Sequence, residues 1–161
     1  MAAASLVATA IGIVLLIVTA YVLVGGTLTA TETLMNAQSE MTSARTRILG
    51  TSVTITGWNG TVNPLLLDVE NTGSESIPDL EFMDVFLLQD GLPVRYFYSE
   101  SGVTGSWSRI PGMGISPDLV HPGQWDPNET LHIQVLYQAG SPVPVWAEVV
   151  TGNGATDSTY L

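Results

Sequence analysis

Few residues of this 161-residue chain stand at spacings that could support chemistry. The clearest are Asn59-Gly60-Thr61 and Asn128-Glu129-Thr130, acceptor sequences for N-linked glycan with no proline in the middle. Glycan transfer needs an exposed asparagine, and both fall at expected turns, so Asn59 and Asn128 are the candidate glycosylation sites. Asn63 is followed by Pro64 and does not qualify. His121 lies near Asp118 and Asp126, the raw material of a metal site. That spacing matches no known metal pattern, and a solvated loop is the simpler reading. His132 sits in an alternating run and reads as a face residue. Asp68 and Glu70 share one face of a strand, which makes a solvated surface rather than an acid/base pair. Glu81 and Asp84 form a similar acidic pair. The chain contains no GxSxG, GxxxxGK, HExxH or EF-hand loop. The expectation is no catalytic residue, no metal, no cofactor and no enzyme activity.

The elements that carry these residues are set by where the charge falls. Residues 1–31 have no charged side chain, and Glu32 and Glu40 are balanced by Arg45 and Arg47. The whole net charge of −11 therefore belongs to the segment after Gly50, where the only basic side chains are Arg95 and Arg109. Four arginines and no lysine cannot make the basic face that a nucleic-acid partner requires. With 12% charged and 45% apolar residues the chain is not a disordered acidic polymer. No cysteine means no disulfide framework and no thiolate metal site. Two domains are expected: an N-terminal hydrophobic assembly helix over 1–50, and an outer β-domain over 51–161.

Leu6–Leu28 is long enough to cross a hydrocarbon layer as a helix. A cleaved signal fits poorly, because a basic n-region is missing and the run is too long. A permanent anchor and a helix that leaves the membrane to pack in a polymer both remain. The lack of basic residues before Leu6 reads as a mature chain cut just before Met1. Beyond Leu28 the pattern continues without proline. Leu34, Met41 and Ile48 recur every seven residues, as do Leu28 and Met35, which suits one face of a helix. Gly25-Gly26 could kink or melt this helix, or mark a close helix contact. Ala8, Gly12, Thr19 and Gly26 are small residues that either permit close approach or reflect ordinary membrane-helix composition.

Gly50 is a plausible helix stop. After it come short β-like runs at Thr51–Thr56, Leu65–Glu70, Phe82–Gln89, Val94–Ser99, Thr130–Tyr137 and Val145–Val150. Asp90-Gly91 predicts a tight hairpin between two of them. In Thr130–Tyr137, Leu131, Ile133 and Val135 point one way and His132, Gln134 and Leu136 the other. Ser99–Pro127 is rich in Gly, Ser and Pro and holds Trp107 and Trp125. It contains either a short strand near Trp107–Ile110 or a surface excursion toward a neighbour. Core burial is the expectation for both tryptophans. The fold class is α+β, a long N-terminal hydrophobic helix followed by an antiparallel immunoglobulin-like β-sandwich.

This plan resembles type IV pilin-like subunits, and its details resemble the archaeal branch. VATAIGIVLLIVTAYVLVGGTL is similar to archaellin N-termini; Ser5 stands where bacterial type IV pilins typically have glutamate. VENTGSESI (69–77) resembles the V-x-N-T-G strand–turn segment of archaellins and of archaellum accessory proteins. PGQWDPNETLHIQV (122–135) resembles the loop-to-strand segment of the same domains. The resemblance implies processing by a prepilin-type peptidase and a homo-oligomeric helical filament with helices in its core. The implied function is a structural subunit of an extracellular archaellum or pilus filament, for motility or adhesion, membrane-inserted before assembly. Leu6, Ile11, Ile13, Leu15, Leu16, Ile17, Tyr21, Leu23 and Leu28 are the assembly-helix residues, because a helix apolar on all sides cannot face water alone. The alternative is a membrane-anchored archaellum accessory protein of the stator, binding the surface layer through its β-sandwich. The stem discriminates: a filament subunit should stay apolar throughout, and Leu34, Met35, Met41, Ile48 and Leu49 lean toward the filament while Asn36, Gln38, Ser39 and Glu40 weaken that pattern. An ordinary anchored ectodomain would show a cytoplasmic basic flank and a flexible linker.

Overall fold

The computed structural model describes residues 2–60 and 63–161. Met1, the expected processed end, and Thr61 of the first glycan acceptor lie outside the described residues. The chain divides into two compact units, residues 1–45 and 46–161.

A single helix, α1, spans Ala2–Gly50. It runs unbroken through Gly25-Gly26, with open space around both glycines, so of the three readings of that pair the melt does not occur. Its threonines satisfy their hydroxyls within the helix. The hydroxyls of Thr19, Thr27, Thr29, Thr31, Thr33 and Thr42 each donate to the carbonyl four residues earlier, at 2.8–3.1 Å. A hydroxyl satisfied this way no longer needs water, which makes a Thr-rich helix segment effectively more apolar than its sequence suggests. Past Gly50 the helix is capped. Thr51 donates its N–H to the Arg47 carbonyl at 3.1 Å, and Ser74 donates its N–H to the Gly50 carbonyl at 2.7 Å.

The described residues of 46–161 include nine strands: β1 (Val53–Asn59), β2 (Leu65–Asn71), β3 (Asp84–Gln89), β4 (Leu92–Tyr98), β5 (Ser106–Arg109), β6 (Ile115–Ser116), β7 (Thr130–Leu136), β8 (Trp146–Val150) and β9 (Thr156–Tyr160). They pair in the order β1-β2-β7-β5-β4-β3-β8-β9, with β6 also on β7. The ends of this order approach each other. The Ile55 N–H of β1, beside a bulge, donates to the Asp157 carboxylate of β9 at 2.7 Å. A side chain thus satisfies an edge donor where the strands do not pair, and the sheet is nearly closed. The α+β class is as expected, but the sheet is barrel-like rather than a plain antiparallel sandwich. The bridge between its halves is the parallel pair β4–β5, where Phe97 faces Ser106 and Tyr98 faces Trp107.

Strict alternation builds the core. Leu65, Leu67 and Val69 of β2, Leu131, Ile133 and Val135 of β7, Val85 and Leu87 of β3, and Ala147 and Val149 of β8 all point inward and are fully buried. Each large aliphatic side chain buried this way contributes about 1.5–3 kcal/mol. Trp107 and Trp125 are both fully buried, and the Trp107 indole N–H donates to the Met83 carbonyl at 3.0 Å. The Asp90-Gly91 hairpin forms as expected. Both residues have positive φ, 52° and 76°, which is the backbone of a type I′ turn. Phe82 belongs to a 3-10 turn, Leu80–Phe82, rather than to the strand that follows. Asn59 is the last residue of β1 rather than a turn residue. The segment from Ser99 to Pro127 contains both β5 and β6, so it is not a structureless excursion.

Candidate functional site

The assembly-helix residues Leu6, Ile11, Ile13, Leu15, Leu16, Ile17, Tyr21, Leu23 and Leu28 are each 55–81% exposed within the chain. The stretch that carries them is long and apolar enough to cross a membrane by length and composition. Lipid or another helix must cover such a surface, because water cannot do so without the full hydrophobic cost.

In the β-domain, the two segments picked out by sequence resemblance meet in space. Ile77 and Trp125 form a two-bond antiparallel bridge, with N–H to carbonyl distances of 2.9 and 3.2 Å. Asn71 at the end of β2 is the hub. Its fully buried amide donates to the carbonyls of Trp125 at 3.0 Å and Glu75 at 2.9 Å. Its side-chain oxygen accepts from the Gly73 N–H at 3.1 Å. Its backbone N–H donates to the Glu129 carbonyl at 3.0 Å, and its carbonyl accepts from Asn128 at 2.8 Å. Gly73 is required for a close approach rather than for a turn angle. A Cβ there would sit 2.4 Å from the Gly50 carbonyl oxygen and 2.6 Å from the Ser52 nitrogen.

Two buried carboxylates organise the loop from Asp118 to Glu129. Asp126 is 2% exposed and accepts from the Ser76 hydroxyl at 2.5 Å and the His121 N–H at 2.8 Å. Glu129 is 3% exposed and accepts from the N–H groups of Asp126 at 3.0 Å and Leu119 at 3.1 Å. The Trp125 indole N–H donates to the Glu129 carbonyl at 2.8 Å. The Ser76 hydrogen bond lowers the Asp126 pKa below the ordinary carboxylate value; burial opposes this and His121 adds to it. Acids at both ends of the segment, Asp118, Asp126 and Glu129, accept from its backbone N–H groups.

The remaining expected residues are placed as follows. His121 Nδ1 lies 3.1 Å from the Asp126 carboxylate, while Asp118 instead accepts from the Gly123 N–H at 3.0 Å. His132 and Asp68 pair across β7 and β2 at 2.6 Å on the outward face. Asp84 pairs with Arg95 across β3 and β4 at 2.9 Å. Asn59 and Asn128 are both exposed, and Asn128 has a positive φ of 65°. A shallow cavity of about 550 Å³ lies beside the same loop, lined among others by Tyr98, Glu100, Arg109, Ile110, Met113 and Asp118. Sequence reasoning missed Asn71, Asp126 and Glu129 as one network. The available signal was an Asn at a strand end facing a Trp-Asp-Pro-Asn-Glu turn, which adjacency in sequence does not reveal.

The architecture defines a class: a long apolar helix leading into a domain built on one nearly closed, mixed, barrel-like sheet. Known structures align with about two thirds of the chain. The archaellum periplasmic stator protein FlaG from Sulfolobus acidocaldarius aligns with a TM-score of 0.51 at 19% identity, over 69% of this chain and 99% of that one. The archaellum periplasmic stator protein complex of FlaF and FlaG from the same organism gives 0.51 and 19%, over 68% of this chain and 88% of that one. No protein-family model and no curated protein sequence matches the chain.

Proposed function

We propose that this chain is a membrane-anchored accessory protein of the archaellum, of the stator type. The first half of α1 spans the membrane, and the β-domain engages the protein surface layer outside it. The observation that carries this reading is the fold shared with a periplasmic stator protein over nearly that protein's whole length, in a chain that also has its own membrane-length helix. The stem adds support. Asn36, Gln38, Ser39 and Glu40 interrupt its apolar surface, as an anchor emerging into water would require and a filament core would not. Asn59 and Asn128 are the positions proposed to carry glycan.

Cells that make the protein test the reading directly. Shearing followed by high-speed pelleting should leave this chain in the membrane fraction while thin filaments pellet without it. Deleting it should stop swimming without removing filaments from the cell surface. Sheared filaments built from this chain would overturn the accessory reading and restore the filament-subunit one.

A further inference from the structure

The stem of α1 carries a heptad pattern. With Leu34, Met41 and Ile48 at position a, Ala30, Ala37 and Ala44 fall at position d. The same frame runs back through Leu6, Ile13, Ala20 and Thr27 at a, and through Thr9, Leu16 and Leu23 at d. All four charged side chains of the helix lie off the seam: Glu32 at f, Glu40 and Arg47 at g, and Arg45 at e. Asn36, Gln38, Ser39 and Ser43 lie off it too, at c, e and f. In the single chain the seam is uncovered, with Leu34, Met41 and Ile48 exposed by 60%, 72% and 53%.

We infer that this stem pairs with the stem of a second copy as a parallel two-stranded coiled coil, with Ala30–Ile48 as its water-side seam. Charge complementarity identifies the occupant. In a parallel pair, a g residue faces the e residue five positions further along on the neighbouring helix. Glu40 of one copy therefore faces Arg45 of the other, and the pairing repeats by symmetry. Within one helix these two are five apart and point away from each other. Neither enters any of the ion pairs found among the described residues. Alanine at every d position lets the two backbones approach closely, while Leu34, Met41 and Ile48 fill the a layers. The parallel orientation rests on the proposed membrane anchoring, since two copies held in one membrane by the same end must run the same way.

The chain has no cysteine, so single cysteines can map the seam in the full-length protein reconstituted into phospholipid vesicles. A disulfide needs Cα atoms within about 7 Å, which a parallel seam provides at a and d and nowhere else around the helix. Under mild oxidation, Met41→Cys and Ala44→Cys should convert largely to covalent dimer, and Ser39→Cys and Ser43→Cys should stay monomeric. Adding Glu40→Arg to Met41→Cys should sharply reduce the dimer, and adding Arg45→Glu as well should restore it. Equal cross-linking at all four positions, or no rescue by the charge swap, would overturn the coiled coil. Flotation of the same vesicles reports the anchor separately. A chain that floats without the a/d pattern refutes the pairing and leaves the stator reading standing. A chain that fails to float refutes the anchor, and the parallel pairing with it.

Discussion

Replacing Asn71 by alanine is the sharpest probe of the loop network. The substitution deletes three hydrogen bonds, to the carbonyls of Trp125 and Glu75 and from the Gly73 N–H. Three buried bonds at about 1 kcal/mol each set the starting figure. Two of the abandoned groups keep a second partner: the Trp125 carbonyl still accepts from Ile77, and Gly73 still donates to the Ser52 carbonyl. Only the Glu75 carbonyl loses its partner among the bonds described, and that residue is partly exposed, so water can compensate it. The cavity left by the amide is small and adds little. The expected loss is about 2–3 kcal/mol, which lowers the melting temperature of a domain this size by roughly 8–12 °C. Near-ultraviolet circular dichroism of the detergent-solubilised chain would follow it, because buried Trp125 sits beside the lesion. Hydrogen exchange should show the loss concentrated at the N–H groups of Ile77, Trp125 and Asn128. An Asn71→Ala chain that melts within about 2 °C of wild type would refute the hub assignment.

Gly73→Ala places a methyl group against two backbone atoms that cannot rotate away, at 2.4 and 2.6 Å, and should cost about 1–3 kcal/mol in a denaturant titration; a neutral result would mean that Gly50–Ser52 shifts freely. For Asp126, the folded state holds its proton less tightly than the unfolded chain does. Its stabilisation is therefore complete above the ordinary carboxylate value of 3.8 and is lost as pH falls through the lower folded value. Asp126→Asn should accordingly be less stable than wild type at neutral pH, with the gap narrowing in acid; a gap that stays constant with pH would rule out the linkage. Ile13→Asp puts a carboxylate near the middle of the stretch proposed to span the membrane, at a cost of about 2.5–3.5 kcal/mol, and should raise the fraction released by alkaline extraction of membranes. Unchanged extraction would count against a spanning helix. Asn59→Gln and Asn128→Gln should each remove one glycan mass from the intact protein expressed in its own cells, and an unchanged mass would remove that site from the proposal.

Where local periodicity carried the information, the fold could be read from the sequence. The helix over 2–50 follows from an apolar run that continues without proline to a terminal glycine. Strand β7 follows from the alternation of Leu131, Ile133 and Val135. The hairpin follows from the only Asp-Gly pair between two apolar runs. What escaped is what depends on distant partners. Strand β9, Thr-Asp-Ser-Thr-Tyr, has no apolar alternation and lies exposed at the margin of the sheet. It is a strand because β8 offers it a ladder and because Asp157 can reach the Ile55 N–H of β1. The parallel contact of β4 with β5 is invisible for the same reason: a few residues of pairing leave no pattern of their own.

The same principle explains why the loop site was half visible. The segments 69–77 and 122–135 stood out one at a time, but nothing in either shows that they bond to each other. Their junction is made by side chains acting on backbone groups, and a backbone N–H or carbonyl has no residue type for a sequence to display. The acidic composition follows a related logic. This domain has two arginines and no lysine, so its carboxylates have few cationic partners. Asp84 takes Arg95, and Asp68 takes His132. Glu129 and Asp157 turn to backbone N–H groups instead, and Asp126 adds a backbone N–H to its His121 and Ser76 side-chain partners. A carboxylate can be buried when several donors converge on it, and here those donors close a loop and a sheet edge at the same time. The excess of acid is therefore not only a solvated coat, because part of it holds the domain together. Of these acids it is Asp126, whose pKa the Ser76 hydrogen bond lowers, that should make the fold weaken in acid as it takes up its proton.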